Sequence, residues 1–151
     1  MSTSITSAAH NRASIDTPSF YRFFELGGRI LLASLFLLSG LTKMSSYGAT
    51  AGYMAAMGVP AALLPIVIAT EVLGSLAIIV GWHTRIAAFL LAGFTLIAGG
   101  IFHNNFGDQI QLIMFLKDVS IAGAFLMLVA NGAGPLSVDR RLAASGAADS
   151  R

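Results

Sequence analysis

The sequence predicts an all-α integral membrane protein: a four-helix bundle with a short interfacial helix between helices 1 and 2. Three observations predict it. The 151 residues are 56% hydrophobic and only 11% charged, against about 25% charged in an ordinary soluble domain. Four stretches are long and apolar enough to cross a bilayer, which takes about 20 residues each. The arginines and lysines also fall mostly on one side of those stretches, as the positive-inside rule requires.

The chain opens on "MSTSITSAAHNRASIDTPSFYRF". This is Ser/Thr-rich and has no apolar h-region, so residues 1–23 are expected to be a disordered cytoplasmic tail, not a cleavable signal peptide. The membrane domain is expected over 24–137. Its spans are 26–42 "LGGRILLASLFLLSGLT", 61–80 "AALLPIVIATEVLGSLAIIV", 86–102 "IAAFLLAGFTLIAGGIF" and 109–130 "QIQLIMFLKDVSIAGAFLMLVA". "GVP" at 58–60 stops one segment and lets Pro60 open the next. "GWHTR" at 81–85 makes a short turn, and "HNNFGD" at 103–108 is rich in turn formers. "NGAGP" at 131–135 ends the last span. Residues 138–151 read as a second disordered tail.

The longest connection, 43–59, spaces Met44, Tyr47, Ala51, Met54 and Met57 by three and four. That is a helical period, and the segment is too short to span, so it is expected to lie at the interface. Small residues recur within the spans, including Ser39, Gly40, Gly74, Ala88, Gly99 and Gly123. They let helices approach closely in lipid. Arg12, Arg22, Arg29, Arg85, Arg140, Arg141 and Arg151 fall on one side and Lys43 on the other. Both termini and the 2–3 turn are therefore expected in the cytoplasm.

Composition also excludes functions. With no cysteine, the chain can form no disulfide, thiolate nucleophile, iron–sulfur cluster or covalent c-type haem. The net charge of +2 comes without a basic stripe, so nucleic acid is not an expected partner. No residue spacing matches a metal motif, and no Gly-rich dinucleotide fingerprint is present.

Few ionisable residues sit at depth, and such residues mark sites by default. Glu71 lies about 15 Å into the second span and Lys117 about 12 Å into the fourth, at 1.5 Å per residue. Both spans run outside to inside, so a Glu71–Lys117 pair is the expected means of keeping either charge in a low dielectric. Asp118 points about 100° away from Lys117 and needs its own answer: Arg29, Ser39, Thr70 or a proton. Lys43, His103, Asn104, Asn105, Gln109 and Gln111 cluster near the outer ends and sketch a polar pocket with Glu71 and Lys117. The competing reading is a polar lock that only fixes helix register.

These residues also carry a resemblance. "GGRILLASLFLLSGLTKM" (27–44), "YMAAMGVP" (53–60), "EVLGSLAIIVGWHTRIAAFLLA" (71–92), "FHNNF" (102–106), "QLIMFLKDVSIAGAFLML" (111–128) and "GPLSVD" (134–139) together resemble the DoxX family. The resemblance implies a four-helix bacterial inner-membrane protein. It also implies a link to quinone chemistry or to a membrane redox complex, with Arg29, Lys43, Glu71, His103 and Lys117 as family-type positions. Where the family usually reads Leu-Lys-Asn, this chain reads Leu116-Lys117-Asp118.

Two functions stay open on the sequence. In the first, the chain is a quinone-binding, redox-associated subunit, with Lys117 and His103 as donors and Glu71 or Asp118 handling protons. Phe94, Phe102, Phe106 and Phe115 would line its slot. Electrons would come from a soluble oxidoreductase partner or a bound flavin, since no carrier is covalently bound; whether the chain is itself catalytic stays open. In the second, it is a non-enzymatic anchor or a small proton-coupled carrier, for which a homo-oligomer is expected.

Overall fold

The computed structural model describes residues 19–149 and is helical throughout its ordered elements. Helix α1 runs Ser19–Ser45, α2 Tyr47–Ala56, α3 Leu64–Val80 after a 3-10 turn at Ala61–Leu63, α4 Thr84–Phe102, α5 Gln109–Asn131 and α6 Val138–Asp149. Four stretches are long and apolar enough to span a membrane: Phe20–Ser45, Ala61–Val80, Thr84–Phe102 and Gln109–Asn131. They overlie the four spans expected from hydropathy.

The spanning helices form a ring in which α1 packs on α3, α3 on α4, and α4 on α5. Phe36 of α1 meets Phe125 of α5 edge-on, with ring centroids 5.2 Å apart, and closes the ring. The centre is built from alanines around a few large side chains: Ala33, Ala87, Ala88, Ala92 and Ala122 surround Phe36, Ile78, Leu91 and Phe125. Small residues bring the backbones together where no hydrophobic effect can. At Gly40 a Cβ would lie 2.7 Å from Val72 Cγ2, so only glycine allows α1 and α3 this approach. Large apolar side chains point outward instead: Leu31 is 76% and Met127 66% exposed. Such a surface suits lipid and not water.

The helix ends follow their local chemistry. α3 stops at Gly81, whose φ of 76° is the left-handed conformation glycine tolerates. Asp108 caps α5 by accepting from the N–H groups of Ile110 and Gln111. The segment 43–59 does carry a short helix, α2, as its periodicity predicts.

The tails differ from expectation. Residues 1–18 of the expected N-terminal tail lie outside the described residues, and α1 already begins at Ser19. The expected C-terminal tail is helical as α6. Three bonds explain this. Ser137 Oγ accepts from the N–H of Arg140 at 3.2 Å, capping the helix start. Asp139 accepts from the N–H groups of His83 and Thr84 at 2.7 and 3.0 Å. One side chain thereby caps α4 from a distant part of the chain.

These contacts define two ends of the bundle. One end gathers the start of α1, the α3–α4 turn, the 132–137 segment and α6. The other gathers α2, the end of α4 and the start of α5.

Candidate functional site

The six polar positions singled out in the sequence separate into three groups. The first joins α1 to α3. Lys43 Nζ donates to Glu71 Oε1 at 2.8 Å and Oε2 at 2.9 Å, and also to Ser39 Oγ. Ser39 Oγ lies 3.2 Å from Glu71 Oε1 as a further donor. The Glu71 side chain is 5% exposed and that of Lys43 25%. With three acceptors around three ammonium protons, this group is closed.

Lys43, not Lys117, therefore answers Glu71, which corrects the expected pairing. Two physical reasons act together. In the ring α1–α3–α4–α5, α3 and α5 are diagonal, so equal depth does not bring their side chains together. In addition, a helical side chain leans toward the helix N-terminus. α1 rises toward the α2 end, so Lys43 leans back into the bundle along Ser39, four residues earlier. α5 descends from that end, so Lys117 leans outward. Its Nζ rests 3.4 Å from Met114 Sδ, and the residue is exposed.

The second group lies at the α2 end between α4 and α5. His103 ends α4, and its Nδ1 bonds Gln111 Oε1 at 3.0 Å. His103 Nε2 faces Asp118 Oδ2 across 3.8 Å. Asp118 thus has a partner absent from the expected set of Arg29, Ser39 and Thr70. Gly99 makes room for it: a Cβ there would lie 3.0 Å from Asp118 Oδ2. The same segments carry aromatic pairs. Tyr53 of α2 stacks on Phe102 with centroids 5.4 Å apart, and Phe106 meets Phe115 at 5.1 Å.

This group is open. The donor and acceptor roles follow the imidazole tautomer: Nδ1 pairs with Gln111 Oε1, and Nε2 pairs with the carboxylate when the ring is protonated. At 3.8 Å, Nε2 and Asp118 Oδ2 are too far apart for a direct hydrogen bond. A proton, or a ligand hydroxyl, would satisfy both. His103, the Gln111 amide and the outward-leaning Lys117 are the groups able to hold ligand carbonyls.

The third group is Arg29, which is 1% exposed but belongs to the opposite end. Lys43 stands 14 residues on, or about 21 Å along α1 at the helical rise. Arg29 donates to Leu136 O and, at 3.4 Å, to Ile78 O. It ties α1 to the end of α3 and to the segment before α6. Arg29 is therefore no part of the polar centre expected from the sequence. Its signal, and that of Asp139, was hidden because both partners lie far away in sequence.

An open groove of about 520 Å³ runs along the α1–α3 seam beside α2, lined by Met44, Tyr47, Pro65, Ile68, Ala69, Val72 and Leu73. It is apolar and does not reach His103. The polar pocket sketched from the sequence is thus two separate clusters and an apolar groove. Among the described residues, no three His, Asp or Glu side chains converge as a metal site.

Fold and site together define a small integral membrane protein: four spanning helices locked by one closed ion pair, with one open acid–base pair at a bundle mouth. A model of the DoxX family matches residues 24–104, from α1 through α4. Two curated relatives from Escherichia coli (strain K12) are similar over most of their length. "Inner membrane protein YqjF" is 45% identical over 117 residues, covering 78% of this chain and 90% of the relative. "Inner membrane protein YphA" is 37% identical over 136 residues, covering 80% of this chain and 97% of the relative. No solved structure matches. The chain belongs to the DoxX family and is an integral inner membrane protein.

Proposed function

We propose that this DoxX-family protein is a quinone-linked membrane subunit of a redox complex, with both termini in the cytoplasm. The observation that carries the reading is the open His103–Asp118 pair, 3.8 Å apart and set among Phe102, Phe106 and Phe115. A quinone headgroup needs carbonyl donors, a proton exchanger and apolar walls. His103, Gln111 and Lys117 supply donors, and Asp118 with His103 supplies the exchanger. When bound, the quinone contributes the redox chemistry. The residues hold its carbonyl oxygens and move a proton at His103 Nε2. Electrons come from a soluble oxidoreductase partner. The Lys43–Glu71 pair, being closed, holds the α1–α3 seam and does not bind ligand.

Extraction of the purified protein tests this. Wild type should carry quinone; Asp118→Asn and His103→Gln should lose most of it while Lys117→Met loses less. Quinone retained by both of the first two variants moves the site elsewhere. No quinone in wild type defeats the reading itself.

A second reading has its own observation. Lys117 is exposed in mid-span with the Met114 sulfur as its hydrogen-bond partner among the described residues, and a charge there is costly against lipid. As a membrane anchor or small carrier, the protein would cover this face of α5 with a partner helix or a second copy. Crosslinking from a cysteine placed at Ser120 separates the two: a stoichiometric membrane partner favours the second reading, and lipid adducts alone remove it.

A further inference from the structure

The α6 end of the bundle carries several guanidinium groups that no acid neutralises among the described residues. Arg22 of α1, Arg85 of α4 and Arg140 and Arg141 of α6 are all exposed. Among the described residues, none of them forms an ion pair. Contacts fix these helix ends side by side. Asp139 caps α4 through His83 and Thr84, Arg29 binds Leu136 O, and Gly132 lies against the Arg85 guanidinium. Asp139 is held by the α4 N–H groups, and the Glu25 carboxylate packs against Gly134.

Aromatic residues share this end. Phe20, Tyr21, Phe23 and Phe24 of α1 are 54–68% exposed, with Phe20 stacked edge-on against Tyr21 and Phe24. Trp82, the single tryptophan of the chain, is 52% exposed and stands three residues before Arg85. Exposed aromatics interleaved with arginines match the boundary between acyl chains and headgroups. They do not match the surface of a soluble partner.

We infer that this end is an anionic-phospholipid collar. The guanidinium groups take phosphate oxygens in forked pairs, while the rings sit among the first acyl carbons. Arg29 takes no part, being buried and bound to backbone carbonyls. The collar requires neither quinone binding nor a particular leaflet.

Trp82 reports on its own lipid neighbours. The full-length protein is reconstituted in mixed bilayers of phosphatidylglycerol and phosphatidylcholine. Either lipid carries brominated acyl chains, which quench tryptophan on contact. The expected result is a roughly five-fold preference for brominated phosphatidylglycerol, the factor that one engaged basic residue supplies at a membrane surface. The preference should shrink in high salt. The double variant Arg85→Gln with Arg140→Gln should fall to within two-fold, with its thermal unfolding unchanged as a control. Equal quenching by both lipids in wild type overturns the inference and leaves the arginines to an acidic protein. A preference that survives in the double variant overturns the assignment of Arg85 and Arg140 to the collar.

Discussion

Lys43 Nζ meets Glu71 Oε1 at 2.8 Å across the α1–α3 seam, with Ser39 bonded to both. Removing one partner strands the other charge in the bundle. Glu71→Gln or Lys43→Met should each cost about 3 kcal/mol, read by unfolding in mixed detergent. The double change to Met should cost clearly less than the sum, because a buried pair often exchanges for apolar side chains at little loss. Lys117→Leu should cost nothing and should even stabilise, because it removes a charge that is costly against lipid. A Lys117→Leu loss as large as that of Glu71→Gln would contradict this pairing.

Glycines of the spans should divide by what surrounds them. At Gly40 an added Cβ meets Val72 Cγ2 at 2.7 Å and Glu71 Cβ at 3.3 Å. Gly40→Ala should therefore destabilise by about 1–3 kcal/mol, the usual cost of overpacking. Gly123 has nothing within 4 Å, and Gly123→Ala should gain up to about 1 kcal/mol from helix propensity. The same unfolding assay reads both, and opposite signs are the expected outcome.

The same residues show why the spans were legible in the sequence and the pairings were not. Length and hydropathy are properties of a segment, so 61–80 and 109–130 declare themselves. Depth is legible too, since rise per residue is fixed. Neighbourhood is not: the ring order that sets α3 diagonal to α5 leaves no trace in either segment. Ser39 and Lys43, four residues apart on α1, were the available hint, because the side-chain lean carries Lys43 back toward Ser39. His103 and Gln111 sit on either side of one turn, and that proximity brought both into the expected pocket. Asp139, 55 residues from Thr84, offers no such hint, and its helix reads as a tail in the sequence alone.

Asp139 gives a pH prediction. Burial alone would push its carboxyl up, but the bonds from Thr84 and His83 outweigh this and hold it below its ordinary value. A carboxyl depressed on folding stabilises the protein above its unfolded pKa, near 3.9. That stability is lost as pH falls through the lower, folded value. Between roughly pH 5 and 3, wild type should lose stability from this site, while Asp139→Asn should show a flatter profile. At neutral pH the variant should already be weaker by about 1 kcal/mol, a typical N-cap loss. Parallel profiles for the two proteins would remove Asp139 from the acid response.

Arg29 makes the last prediction, and it separates charge from geometry. Its guanidinium reaches Ile78 O at the end of α3 and Leu136 O before α6, and its Nη1 lies against Gly81. Two carbonyls on different segments need a planar fork. Lysine is a single point donor and can serve only one of them. Arg29→Met should leave both carbonyls short of a donor and cost about 2–3 kcal/mol. Arg29→Lys should recover only part of that loss. The local readout is hydrogen exchange of α6: with the fork gone, the 132–137 segment loosens and the amides of α6 lose protection. The His103–Asp118 pair at the opposite end should keep its geometry, so quinone content should be unaffected. Full recovery by Arg29→Lys would mean that positive charge, not the two-carbonyl clamp, is what this end of the bundle requires.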